Sequence, residues 1–275
     1  MRSSSSTPTV NSSARSKRAR RPSVVPADGL GAWVAIPVIT HYRGLRLLTP
    51  RGVFQPRSDA GMLTDAARGH IRGEVLDVCT GSGVVALSVA AAADAVTAVD
   101  SSRAAVAAVR VAALVNGVAV EVVHGNLFAA VAGRTFDVIL SNPPYLPTPA
   151  GRPAPGSHAW DGGHDGRAVI DRLCRDAAGH LRPGGDLFMV QSSLADTERS
   201  LAMLRQTGLH PAVVLAHRGA LGPLARARLG HLRAIGALPD PDAGEEIVVV
   251  RARRPLERLV TRSRRAPARA CRGRR

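Results

Sequence analysis

Short apolar runs alternate with helix-compatible stretches along most of the chain. Strand-like runs fall at 74–79 (EVLDVC), 95–99, 120–124, 136–141 (FDVILS), 186–191, 212–217 and 246–250. Between them, 84–93, 102–115, 165–181 and 195–207 carry helical periodicity. Several of the strands are apolar almost throughout, the pattern of strands covered by helices on both faces of a parallel sheet. Ahead of this repeat, Val38-Ile39 and Leu45 to Leu48 flank Gly44 and predict a small hairpin. Residues 59–71 predict a helix capped by Asp59, with Met62, Leu63, Ala66 and Ala67 on one face. Pro183-Gly184-Gly185 reads as punctuation between a helix and the fifth strand, and 218–245 carries no pattern that places it. The expected fold is α/β: a seven-stranded, mostly parallel, doubly wound sheet with helices on both faces. Its expected bounds are residues 28–251.

Charge changes this picture at the two ends. The 275-residue chain carries a formal net charge of +16, all of it in the termini. Residues 1–27 hold six basic and no acidic side chains, and residues 251–275 hold eleven Arg against Glu257. Residues 28–250 balance at 20 basic and 20 acidic groups, which excludes a catalytic domain drawn to nucleic acid by its overall charge. The ends, 1–27 and 252–275, read as disordered basic tails, with weak contact to RNA or the ribosome as their candidate role. Cys79, Cys174 and Cys271 are too few and too scattered for a disulfide framework or a thiolate zinc site. No metal is expected. With no secretory apolar segment or membrane span, a cytoplasmic location is expected.

The first predicted strand ends in Asp77-Val78-Cys79-Thr80-Gly81-Ser82-Gly83 and runs into a helix. Gly81 and Gly83 allow a sharp turn and close ligand approach. The next strand ends at Asp100, nineteen residues after Gly81, where a carboxylate can accept two hydrogen bonds from a ribose diol. A dinucleotide fingerprint would place glycine where Ala86 stands, and no GKS or GKT supports an NTPase loop. An ordinary tight strand-to-helix turn remains open, as does a purely structural Asp77 bonded to loop N–H groups.

The fourth strand runs directly into Asn142-Pro143-Pro144-Tyr145. Two prolines lock φ and remove two donors, leaving a stiff platform that offers an amide, free carbonyls and a ring. DVCTGSG, VTAVD, GNLF and DVILSNPPY, in this order, resemble the motifs of class I S-adenosylmethionine-dependent methyltransferases. VFQPRSDAGMLTDA (53–66) and HAWDGGHDGRAVIDRL (158–173) narrow the resemblance to the HemK-related methylases of release-factor glutamine, in the short branch without an N-terminal helical domain. The resemblance spans residues 38–251.

It implies S-adenosyl-L-methionine as cofactor, with Asp77, Gly81 and Gly83 shaping the methionine side and Asp100 and Ser101 at the ribose. Asn126 and Leu127 would flank the adenine, Pro56 and Asp59 would close over the cofactor, and Asn142 would face both cofactor and target. Asn142, Pro143, Pro144 and Tyr145 would form the catalytic platform. Trp160 would cap the substrate entrance or pack the loop. Arg167 would hold a substrate carboxylate or carbonyl, or fix its own loop through Asp165 or Asp171. Cys79 stands where the family has its first loop glycine, and Asn126 where it usually has Asp. The implied partners are a release factor with a Gly-Gly-Gln segment and a small activating subunit. The competing readings are an RNA or DNA exocyclic amino-methyltransferase, a small-molecule N-methyltransferase and a non-enzymatic cofactor-binding module.

Overall fold

The computed structural model describes residues 38–50, 52–53, 55–56, 58–151, 159–238, 240 and 244–256. The expected N-terminal tail, residues 257–275 of the C-terminal one, Cys271, Phe54 and His158 lie outside them. The fold reaches past the expected boundary at 252, because the last strand continues to Arg253 and buries Ala252 between its two neighbours.

The hairpin forms from β1 (Val38–Tyr42) and β2 (Leu45–Thr49), turning at Arg43 and Gly44, both at positive φ. It is pinned to the body by Asn116, whose amide accepts from the Arg46 N–H (3.0 Å) and donates to the Arg46 carbonyl (2.7 Å). Helix α1 (Ser58–Ala67) follows, burying Ala60, Leu63, Thr64 and Ala67. Asp59 sits inside its first turn and is not its cap: the carboxylate accepts from the Ala60 N–H and turns its other oxygen elsewhere.

Then come β3 (Glu74–Val78), α2 (Val84–Val89), β4 (Ala95–Asp100), α3 (Arg103–Asn116), β5 (Glu121–His124) and β6 (Phe136–Ser141). The second half supplies α4 (Ile170–His180), β7 (Leu181–Ser192), α5 (Thr197–Gln206) and β8 (His210–Gly219). Two short helices, α6 (Pro223–Arg226) and α7 (Leu229–Ala234), occupy the stretch that sequence could not place, before β9 (Glu245–Arg253). The seven-stranded sheet has the order β5-β4-β3-β6-β7-β9-β8. Neighbours from β5 to β7 are parallel, and β9 is antiparallel to both β7 and β8.

Side chains alternate between two cores, as the period of a strand requires. Leu76, Val78, Ile139, Leu187 and Met189 pack with Ile170, Leu173 and Cys174 of α4 and Leu201 and Leu204 of α5. Val75, Val138, Leu140, Phe188 and Val190 face α1, α2, α3 and Leu47 of the hairpin. β8 breaks the rule. Its sequence is as apolar as the others, yet it lies at the sheet edge with Val213, Val214 and Leu215 exposed.

Pro183-Gly184-Gly185 does not end a helix as the sequence suggested. The chain passes from α4 into β7 at Leu181, and 182–185 bulge out between the Phe136–Leu181 and Val138–Asp186 partners. The bulge is closed on Arg254, whose carbonyl accepts from the Gly184 N–H (3.0 Å) and whose N–H donates to the Gly185 carbonyl (2.9 Å). A Cβ on Gly185 would lie 2.9, 3.0 and 3.2 Å from the carbonyl oxygens of Arg182, Asp137 and Phe136. Backbone oxygens inside a sheet cannot step aside as a flexible side chain can. Gly185→Ala is therefore expected to destabilise the fold by about 2 kcal/mol or more, read from denaturant melts.

Candidate active site

Four loops at the carboxyl ends of β3, β4, β5 and β6 meet around one cavity of about 830 Å³. That is where open α/β sheets bind ligands, beside the reversal of strand order between β3 and β6.

The loop after β3 is tied down by two carboxylates. Asp77 is fully buried and accepts from the Thr80 hydroxyl (2.6 Å) and the Ala86 N–H (3.1 Å). Asp100 accepts from the Gly81 N–H (2.9 Å) with one oxygen and from the Ser102 N–H (2.8 Å) with the other. Asp100, Gly81 and Ser101 line the cavity; Asp77 and Gly83 do not. Asp77 thus supports the loop from beneath. Gly83 has a different reason to be glycine: a Cβ there would lie 2.9 Å from both methyls of Val109, so its absence lets α3 pack against the loop.

Burial pushes the Asp77 carboxyl up to about 7 against the pull of its two donors, and its second oxygen has no partner among the described residues. In the unfolded chain the same group loses its proton near pH 4. Stability from this group is therefore full below about pH 4, falls as pH rises towards 7, and is flat above. The loss is on the order of 4 kcal/mol. Asp77→Asn keeps an acceptor for Thr80 and Ala86 and is expected to flatten that slope, measured by denaturant melts between pH 5 and 8. Equal slopes in the two proteins would refute the assignment.

Cys79 adopts φ 63°, the left-handed region a glycine would occupy without cost. Burial, reinforced by the Asp100 carboxylate, raises its thiol far above the usual range, which makes it a packing group and no nucleophile. A non-glycine residue in this conformation costs about 1–2 kcal/mol. Cys79→Gly is expected to stay within about 1 kcal/mol of wild type, because relieved strain offsets the lost thiol contacts. Cys79→Val should lose about 2 kcal/mol or more in the same melts, since a β-branched side chain fits this φ worst.

After β5, Asn126 and Leu127 line the cavity, Leu127 at φ 50°. The side-chain amide of Asn126 has no hydrogen-bond partner among the described residues. Pro56 and Asp59 enter from the segment before and within α1.

Asn142, Pro143, Pro144 and Tyr145 all line the cavity at the end of β6. Among the described residues the Asn142 amide has no hydrogen-bond partner. The Tyr145 hydroxyl donates to Asp59 across 2.9 Å. Beyond Tyr145 the chain pairs with the next loop. The Leu146 N–H donates to the Trp160 carbonyl (3.0 Å), the Gly162 N–H to the Leu146 carbonyl (3.0 Å) and the Thr148 N–H to the Gly163 carbonyl (2.8 Å). This ladder holds Trp160 on the cavity wall, with its indole N–H buried and without a partner among the described residues. It also explains two glycines. A Cβ on Gly166 would lie 2.4 Å from the Tyr145 carbonyl, and one on Gly162 would lie 2.6 Å from that of Gly166.

Arg167 takes the second of its two expected roles. It is 2% exposed, it does not reach the cavity, and its donors go to Asp171 (2.8 Å), the Ala195 and Asp196 carbonyls and Ser200 (3.1 Å). A substrate carboxylate has no access to it. The expected helix over 165–181 accordingly begins at Ile170, because Asp165–Arg167 belong to the loop.

Sequence reasoning missed Arg172, His217, Leu224 and Glu245, all on the cavity wall. Leu224 belongs to a four-residue helix, too short to show periodicity; Arg172 sits inside the 158–173 segment with no role assigned, and His217 and Glu245 carried no motif. Asp59, Asp100, Asp161 and Glu245 give the described wall four carboxylates against the single guanidinium of Arg172. The described residues contain no group of three or more His, Cys, Asp or Glu side chains placed to hold a metal ion.

The sequence profile of the methyltransferase small domain matches residues 44–210. The chain is 38% identical over 164 residues to the release factor glutamine methyltransferase of Gloeobacter violaceus, covering 54% of this chain and 57% of that relative. It is 31% identical over 174 residues to a Methanocaldococcus jannaschii protein provisionally named a protein N5-glutamine methyltransferase, covering 62% of this chain and 88% of that one. Against the first of these, the chain spans little more than half the relative's length. Among solved structures, the E. cuniculi Mtq2–Trm112 complex, responsible for methylation of the eRF1 translation termination factor, aligns with a TM-score of 0.53 at 21% identity. That alignment covers 74% of this chain and 99% of the other, and at such identity it is a likeness of fold.

Proposed function

The chain belongs to the methyltransferase small domain family, and from that premise we propose that it methylates the side-chain amide nitrogen of a protein glutamine, with a translation release factor as substrate. Its sheet is that of the class I, Rossmann-like methyltransferases.

The cavity fits S-adenosylmethionine. Each Asp100 oxygen accepts one backbone N–H and keeps a lone pair for a ribose hydroxyl. Asn126 offers an amide oxygen to the adenine amino group, without the charge assistance an Asp would add. Gly81, at φ 54° on the wall, lets the methionine portion approach the backbone. When bound, the cofactor supplies an electrophilic methyl that already carries its leaving group.

The observation that carries the reading is the Asn142 amide, without a hydrogen-bond partner among the described residues, on a stiff Pro-Pro platform over this cavity. An amide nitrogen is a poor nucleophile because its lone pair is delocalised into the carbonyl. Its reaction depends on aim more than on a base. Asn142 Oδ1 and the Pro143 carbonyl accept the two N–H bonds of the target NH2, fix its rotation and stabilise positive charge developing on nitrogen. Tyr145 packs against the planar target, and Trp160 closes the outer wall with an N–H donor to spare. The four carboxylates on the wall favour a neutral peptide amide over a polyanionic nucleic acid, which would meet them at close range. The same proposal includes a small activating subunit, contact of the Arg-rich ends with RNA or the ribosome, and a cytoplasmic site of action. No described helix is long and apolar enough to cross a membrane.

With labelled S-adenosylmethionine and a folded release factor containing Gly-Gly-Gln, one methyl should appear on the Gln side-chain nitrogen, located by tandem mass spectrometry. Label found only on adenine or guanine of structured RNA or duplex DNA would overturn the substrate. Asn142→Ala should raise the barrier by about 2–4 kcal/mol while changing cofactor affinity far less. Wild-type turnover in that variant would overturn the mechanism.

A further inference from the structure

Asp59 is a buried carboxylate, 5% exposed, at the start of a helix that precedes the seven-stranded sheet in sequence. Such a group is costly to bury unless both oxygens are satisfied. One accepts from the Ala60 N–H (3.1 Å) and the other from the Tyr145 hydroxyl (2.9 Å), 86 residues away.

Helix α1 is itself held from outside. Arg43 in the hairpin turn grips Asp65 with both guanidinium nitrogens (2.6 and 2.8 Å). Tyr42 lies so close that a Cβ on Gly61 would come within 2.6 Å of its hydroxyl. On the inner side Leu63 and Ala67 are fully buried. Asp59 is thus a fixed point. The backbone at Tyr145 is equally fixed, following Pro143-Pro144 and leading into the Leu146–Trp160 ladder. The ring already packs against the core, and anchoring the hydroxyl adds a second fixed point at its far end.

We propose that Asp59 is a positioning residue for methyl transfer, holding the Tyr145 ring in the orientation that aims the target amide; this rests on the glutamine reading above. It differs from the role the family resemblance implies, in which Asp59 closes over the cofactor. A cofactor contact changes cofactor affinity, whereas a positioning contact changes turnover and acts through Tyr145.

The test is a cycle of Asp59→Ala, Tyr145→Phe and the double variant, with Asp59→Asn as the conservative control. Turnover is measured at saturating cofactor, alongside KM for the protein substrate and cofactor Kd. Each single variant should lower kcat about tenfold, with cofactor Kd changed less than about threefold, and the double should be no slower than the slower single. Asp59→Asn keeps an acceptor for the hydroxyl and should recover most of kcat. Multiplying effects, or a raised cofactor Kd with unchanged kcat, would overturn the proposal. The chain has two tyrosines, so 13Cζ-tyrosine labelling gives two resonances. Asp59→Ala should move that of Tyr145, and an unmoved resonance would overturn the contact whatever the substrate. If the wild type methylates no glutamine, the reading of function fails separately, and the cycle is run on whichever amine takes the label.

Discussion

Because β3 and β6 are sheet neighbours but are separated in sequence by two outward crossovers, the loops that follow them leave the sheet in diverging directions. The gap this opens is the cavity. Everything with chemistry in it is placed by that one reversal: the glycine loop and Asp100 on one side, Asn142 to Tyr145 on the other. The apolar faces of β3, β6 and β7, buried on both sides, keep the reversal from relaxing. Two carboxylates then shape what the sheet leaves irregular. Asp77 works from below and Asp100 from the cavity side, so the turn between them needs no ligand to hold its form.

The parts of this arrangement that were legible in sequence are those fixed locally. The strand order of apolar runs, the Thr80–Gly83 turn, Asp100 at a strand end and the Asn-Pro-Pro-Tyr platform each depend on neighbours within a few residues. What sequence obscured depends on long-range partners. Gly83 reads as a ligand glycine but answers to Val109, and Gly185 reads as a helix stop but answers to Arg254 and to carbonyls of β6. Arg167 carries the charge of a substrate anchor, yet Ser200, Asp171 and two carbonyls consume its donors. Periodicity could not reveal α6 and α7 because neither completes two turns.

The two departures from the family pattern have unequal physical weight. Cys79 imposes a backbone cost that the rest of the loop must absorb, and it places a polarisable, unreactive sulfur at the cavity edge. Asn126 imposes no strain; where the resemblance implies a charged acceptor, it offers a neutral one in a wall already rich in carboxylates. Less negative charge at that point also means less repulsion with Asp100, the one acid whose ionised form a ribose would need.

The strip pairing Leu146–Thr148 with Trp160–Gly163, and the anchoring of Arg167 behind it, join the platform and the outer wall into one stiff piece. A wall built this way has already lost its conformational entropy during folding. If the substrate is the protein proposed above, its peptide would bear mainly its own ordering cost, and selectivity would shift to the partner: flexible segments that can adopt the cavity's shape would bind, and rigid ones of the wrong curvature would be refused.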